Sequence, residues 1–176
     1  MHSKITVHRY YFWRITLRTL IFGYGNYDRR DDGVAWHILR SLKKSLGLPF
    51  PDIIDDDFDS DGYIVLVFQL QLMPELAESI NEFDRVCFID AHTGSVPEDV
   101  LMRSLDPTYI SSPLTHHLTP ESLLFITQTI YHKVPEAVLL SVRGYDFEFD
   151  QTLSTKTESL VPQAVSMISQ WLANDE

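Results

Sequence analysis

Three groups of residues in this 176-residue chain have types and positions suited to binding a metal ion or moving a proton. They are the adjacent acids Asp31 and Asp32, the acid of Ile89-Asp90-Ala91-His92-Thr93-Gly94, and the pair His116-His117. Two carboxylates and an imidazole form a mixed oxygen and nitrogen donor set that a borderline divalent ion such as Ni²⁺ or Zn²⁺ accepts. Each group alone has an ordinary explanation. Asp31 and Asp32 suit the first turn of a helix, where the macrodipole favours negative charge. Asp90 could cap a turn, and adjacent histidines are often simply exposed. Their shared placement is what raises them: all three fall at or just beyond the carboxyl ends of expected strands. Open α/β sheets bind their ligands there.

Other motifs carry less. Gly23-Tyr24-Gly25-Asn26 suits a tight turn between a strand and a helix, but Asp28 stands where a dinucleotide fingerprint needs a third glycine. No P-loop lysine follows. Asp57, Asp59, Asp61 and Gly62 match positions 1, 3, 5 and 6 of a calcium loop, yet position 12 is Phe68 in an apolar run. A solvated acidic loop is the better reading. Cys87 sits in mid-strand, where burial leaves a thiol inert. There is no Gly-x-Ser-x-Gly elbow for a serine nucleophile.

The elements that must position these residues follow from hydrophobic periodicity. The run TLIF at 19–22, ending at Gly23, reads as a buried strand. From Asp32, residues Ala35, Ile38, Leu39, Leu42 and Leu46 recur at helical spacing until Gly47. YIVLVFQL at 63–70 reads as a strand, PELAESINEF at 74–83 as a helix, and RVCFID at 85–90 as a strand with Asp90 its last residue. Residues 98–106 suit an edge strand. Thr119-Pro120 opens a further helix as N-cap and N1, with Leu123, Ile126, Ile130 and Tyr131 along one face. AVLLSV at 137–142 is a core strand, and Leu160, Ala164, Met167, Ile168, Trp171 and Leu172 mark a last amphipathic helix. Strands apolar on both faces, alternating with helices, predict a mostly parallel sheet of about five strands covered on each side.

Composition narrows the function classes. The length suits a single domain, on a prior of roughly 150 residues each. Lys+Arg number 14 against 25 Asp+Glu, a net charge of -11, which argues against a nucleic-acid partner. One cysteine excludes a disulfide framework and any cysteine-based metal site within the chain. No segment approaches the roughly 20 apolar residues of a membrane span. Residues 1–18 form a basic-aromatic leader of unassigned role, with Arg14 and Arg18 interrupting any signal-peptide core. The chain is therefore expected to be cytoplasmic, with its domain over 19–176.

The motifs taken in order resemble those of the nickel–iron hydrogenase maturation proteases. Gly23-Tyr24-Gly25-Asn26 followed by Asp31-Asp32-Gly33-Val34 resembles that family's opening motif. Ile89-Asp90-Ala91 and His116-His117-Leu118-Thr119-Pro120 resemble its two later ones, and Pro135-Glu136-Ala137-Val138 and Leu153-Ser154 also fit. The resemblance spans Leu20 to Leu172. It implies a three-layer α/β/α fold and an endopeptidase that removes the C-terminal extension of a hydrogenase large-subunit precursor after nickel insertion. It also implies the metal ligands and catalytic residues: Asp32, Asp90 and His116, with His117 the fallback. His116 is preferred because the family's histidine lies three residues before the helix N-cap. Asp32 stands where many members have Glu, Asp28 where an apolar residue is usual, and Ala35 where Gly is common. The nickel would be presented by the substrate, and no organic cofactor is implied. Polarising the carbonyl, activating water, or a free carboxylate as general base all remain open. The rival reading is a non-catalytic metal-binding or chaperone module on the same fold, acting in hydrogenase assembly.

Overall fold

The computed structural model describes residues 17–47, 62–108 and 118–174. Residues 1–16 of the 1–18 leader and the acidic residues of the calcium-like loop lie outside them. The apolar run at 19–22 continues through Gly23, so strand β1 spans Thr19–Tyr24 and the turn falls at Gly25-Asn26. A 3-10 turn over Arg30–Gly33 leads into helix α1, Val34–Leu46, which buries Ala35, Ile38, Leu39 and Leu42 as the periodicity predicts. Strand β2 spans Ile64–Gln69, and helix α2 covers only Leu76–Ile80. The predicted helix at 74–83 is shorter because both its flanks close as i to i+3 turns: Ala77 N–H bonds to the Pro74 carbonyl, and Phe83 N–H to that of Ile80.

Strand β3, Arg85–His92, outruns its predicted end at Asp90 by two residues. Strand β4, Val100–Ser104, is the expected edge strand. Helix α3, Pro120–Tyr131, starts as predicted, with the Thr119 hydroxyl accepting from Ser122 N–H. Its buried residues include Pro120, Leu123, Leu124 and Thr127. Ile130 and Tyr131 would continue that stripe but are exposed, so the last turn overhangs the core. Strand β5, Glu136–Arg143, and helix α4, Thr155–Ala173, complete the chain.

The sheet order is β2-β1-β3-β5-β4, parallel except for β4, which runs antiparallel to β5. Alternation along each strand feeds two cores. Ile21, Leu66, Cys87, Ile89 and Leu140 pack with Trp36, Leu39 and Ile168 of α1 and α4 on one face. Leu20, Phe22, Val67, Val86 and Phe88 pack with Ile80, Leu123 and Leu124 of α2 and α3 on the other. The predicted three-layer α/β/α architecture is the observed one. At the amino end of β3, buried Arg85 donates to the Trp171 carbonyl at 2.9 Å and stacks 4.1 Å from its ring. That closes the end of the sheet opposite the candidate site.

Candidate active site

The chain leaves β1 for β2 on one side and reaches β5 from β3 on the other. The carboxyl ends of β1 and β3 therefore flank the point where strand order reverses, the usual ligand crevice of such sheets. Tyr24 ends β1, and the last β1–β3 pair is Gly23 with Ile89. Beyond it β3 pairs only with β5, Asp90 lying opposite Ser141 and His92 opposite Arg143. Asp90 is therefore not the last residue of β3. It is the first that has lost its β1 neighbour, because β1 turns away at Gly25. Leu20, Phe22, Val86 and Phe88 belong to the α2/α3 core, so alternation puts Tyr24 and Asp90 on that same side. The Tyr24 hydroxyl donates to the Asp90 carboxylate.

Asp32 reaches the crevice from the helical lead-in. Gly25 has φ of 138°, and a Cβ there would collide with the Asp32 carbonyl, so only glycine lets this turn close. The Asn26 N–H then donates to Asp32 Oδ2 at 2.9 Å. Asp31, its neighbour, has a different task. It is fully buried and accepts five bonds of 2.7–2.9 Å, from Tyr145 N–H, Asp146 N–H, and the Ser154 N–H and hydroxyl, and from the Thr157 hydroxyl. Burial works to raise its pKa. The bonds from Tyr145, Ser154 and Thr157 outweigh it and hold the carboxyl below its ordinary value. Asp31 thus pins the loop after β5 to the start of α1 and leaves Asp32 as the acid of the pair that faces the crevice.

Electrostatics set Asp90 apart. Burial pushes its pKa up to about 6; the Tyr24 and Ala91 bonds pull down, and the charge of Asp32 pushes up again. A carboxylate whose ionisation is opposed by a neighbouring carboxylate's charge is what a cation between the two would relieve. Burial first, then the charge and hydrogen bond of Asp90, push the Tyr24 phenol far above its ordinary value, so it stays a donor. Glu121, in the first turn of α3, also acts on Tyr24 and is held by Arg103 of β4 at 2.6 Å. The start of α3 therefore borders the crevice.

His116 and His117 lie outside the described residues. The first described residue after them, Leu118, packs against the core that includes Phe22 and Phe88. Among the described residues no group of three or more His, Cys, Asp or Glu side chains is placed to hold a metal ion. Asp32 and Asp90 thus come together without a third ligand from those residues. Cys87 is completely buried, and burial drives its thiol pKa up, so it is no nucleophile. Sequence reading passed over two residues. Tyr24 sits inside the glycine motif, where only its place on β1 gives it meaning. His92 stands two residues beyond Asp90, a period-two signal open to notice.

No protein-family model matches the chain, and no curated protein does. Solved structures match its fold. The hydrogenase maturating endopeptidase HybD from E. coli aligns with a TM-score of 0.65 at 15% identity, over 88% of this chain and 91% of that one. The [NiFe] hydrogenase maturation protease HycI from Thermococcus kodakarensis KOD1 aligns at 0.61 and 18%, over 89% and 93%. The hydrogenase 2 maturation peptidase from Thaumarchaeota archaeon SCGC_AB-539-E09 aligns at 0.59 and 19%, over 88% and 97%. At these identities the likeness is one of fold, and it covers nearly the whole of each partner. The chain has the α/β/α fold of solved hydrogenase maturation endopeptidases.

Proposed function

We propose that the protein is an endopeptidase that removes the C-terminal extension of a nickel–iron hydrogenase large-subunit precursor once nickel has been inserted. The observation that carries this reading is the pairing of Asp32 and Asp90 across the switch point, close enough for one charge to raise the other's pKa, on a fold shared with solved enzymes of that activity. Asp32, Asp90 and His116 are the proposed ligands. Two carboxylates and one imidazole leave a transition metal's coordination incomplete, which suits an ion already held by a substrate. The ion would then report that insertion is finished and place the scissile bond, a proximity effect.

The chain's own residues prepare that encounter. Tyr24 and the Ala91 N–H fix the Asp90 carboxylate, and Asn26 N–H fixes Asp32. Substrate nickel would supply Lewis acidity toward the scissile carbonyl or a water. With Cys87 buried, cysteine-nucleophile chemistry is excluded. The place of action in this reading is the cytoplasm. No described helix is long and apolar enough to cross a membrane.

The test is incubation of purified protein with nickel-loaded precursor, followed by the precursor's mass. Wild type is expected to trim it, and Asp32→Ala, Asp90→Ala and His116→Ala to lose trimming while keeping the native melting transition. An intact precursor in a stable complex would replace this reading with a non-catalytic assembly module. Normal trimming by all three variants would sink the site assignment.

A further inference from the structure

His92 is an imidazole with one nitrogen occupied and the other idle. Its Nδ1 accepts from the Gly94 N–H at 3.1 Å, across a turn in which Gly94 has φ of 89°. An Nδ1 that accepts a hydrogen bond has its lone pair in use, so the ring proton sits on Nε2. That Nε2–H is buried, in a residue only 8% exposed, and finds no acceptor among the described residues. A buried donor left unmade is costly, so natural proteins seldom keep one without a use. Its place gives the use. His92 follows Phe88 and Asp90 at a period of two on β3, on the same side of the sheet, where β3 has outrun β1. Its backbone is fixed as well, the carbonyl accepting from Gly144 N–H at 2.8 Å.

We infer that His92 binds substrate: its Nε2–H donates to a backbone carbonyl oxygen of the polypeptide lying across the carboxyl end of β3. This rests on the reading above that the substrate is a polypeptide. The tautomer decides between the two roles an imidazole can take here. A metal ligand needs a lone pair, and with Nδ1 committed to Gly94 the neutral ring offers Nε2 as a donor only. The acceptor it meets is an oxygen, and a peptide chain threaded through the crevice presents one at every residue. Such a bond forms when substrate binds and persists through the reaction, so its loss falls on KM more than on kcat.

The experiment compares wild type, His92→Gln and His92→Phe in steady-state trimming of a nickel-loaded large-subunit precursor from the source organism, with thermal melts of each protein. Gln carries an amide N–H close to the position of Nε2, whereas Phe fills the volume without a donor. Phe is expected to raise KM about tenfold or more with kcat within about twofold, and Gln to restore most of the difference. The Phe variant should melt close to wild type, since removing the unmade Nε2–H offsets the loss of the Gly94 N–H bond to Nδ1. Unchanged KM in Phe overturns the inference, as does Gln failing as badly as Phe. A marked loss of stability in Phe would make the ring structural and overturn it too. If wild type itself leaves the precursor intact, the proposed function fails and this inference falls with it.

Discussion

A buried carboxylate that ionises beside another is a standing cost to the free protein, and Asp90 is such a group. Burial, then the charge of Asp32, raise its pKa to about 6. A carboxylic acid raised in the folded state weakens the fold above that pKa, and the cost fades as pH falls toward its unfolded value near 4. Asp90→Asn should therefore raise the melting temperature of the metal-free protein at pH 7.5 by roughly 2–6 °C, an order-of-magnitude figure for a chain of this size. The gain should shrink by pH 5. The same variant should fail to trim precursor, which is the usual trade between stability and a strained site. Differential scanning calorimetry at the two pH values checks the first part. A lower melting point at pH 7.5 would mean Asp90 is a stabilising partner of Tyr24 and no more.

At the scale of elements, the Asp31 carboxylate is the most connected of several ties between the β5–α4 loop and the start of α1, beside the Arg30 ion pairs with Asp146 and Asp150. Asp31 is held below its ordinary pKa, so the stability it lends is complete above about pH 4 and is lost as pH falls through its folded value. Asp31→Asn should cost roughly 2–4 kcal/mol at pH 7, as expected for breaking a buried hydrogen-bond network. The variant's stability should also respond less to acid below pH 4. Urea melts from pH 7 to pH 3 would show it, and parallel curves for the two proteins would remove the network's importance. The sequence made most of these elements legible, because Ala35, Ile38, Leu39 and Leu42, or the TLIF run, carry their own periodicity. Partner-dependent features were not legible. The length of β3 past Asp90 depends on pairing with β5 and on β1 turning away. Asp31 reads locally as a helix-start acid, and only the fold brings Tyr145, Ser154 and Thr157 to it.

For the whole molecule, the candidate site exists only where four stretches of chain meet, the first two of them neighbours in sequence. They are the end of β1, the lead-in to α1, the outer end of β3, and the start of α3 with Glu121. Residue types and expected strand ends pointed to the pair Asp31-Asp32 and to Asp90, and only the family resemblance chose Asp32 within the pair. The Tyr24 hydroxyl and the idle nitrogen of His92 were hidden, because partnership across a sheet leaves no mark on spacing. The adjacency of Asp31 and Asp32 carries a last consequence, one of timing. Asp31 clamps the loop from Tyr145 to Ser154, while the next residue along holds Asn26, so opening of the loop is expected to disturb the crevice's own backbone. The amides of Asn26, Tyr145, Asp146 and Ser154 should then exchange with deuterium as one cooperative unit, sharing a single opening free energy. In Asp31→Asn all four should lose protection together. If Asn26 stays protected while the others exchange, the loop and the crevice breathe independently.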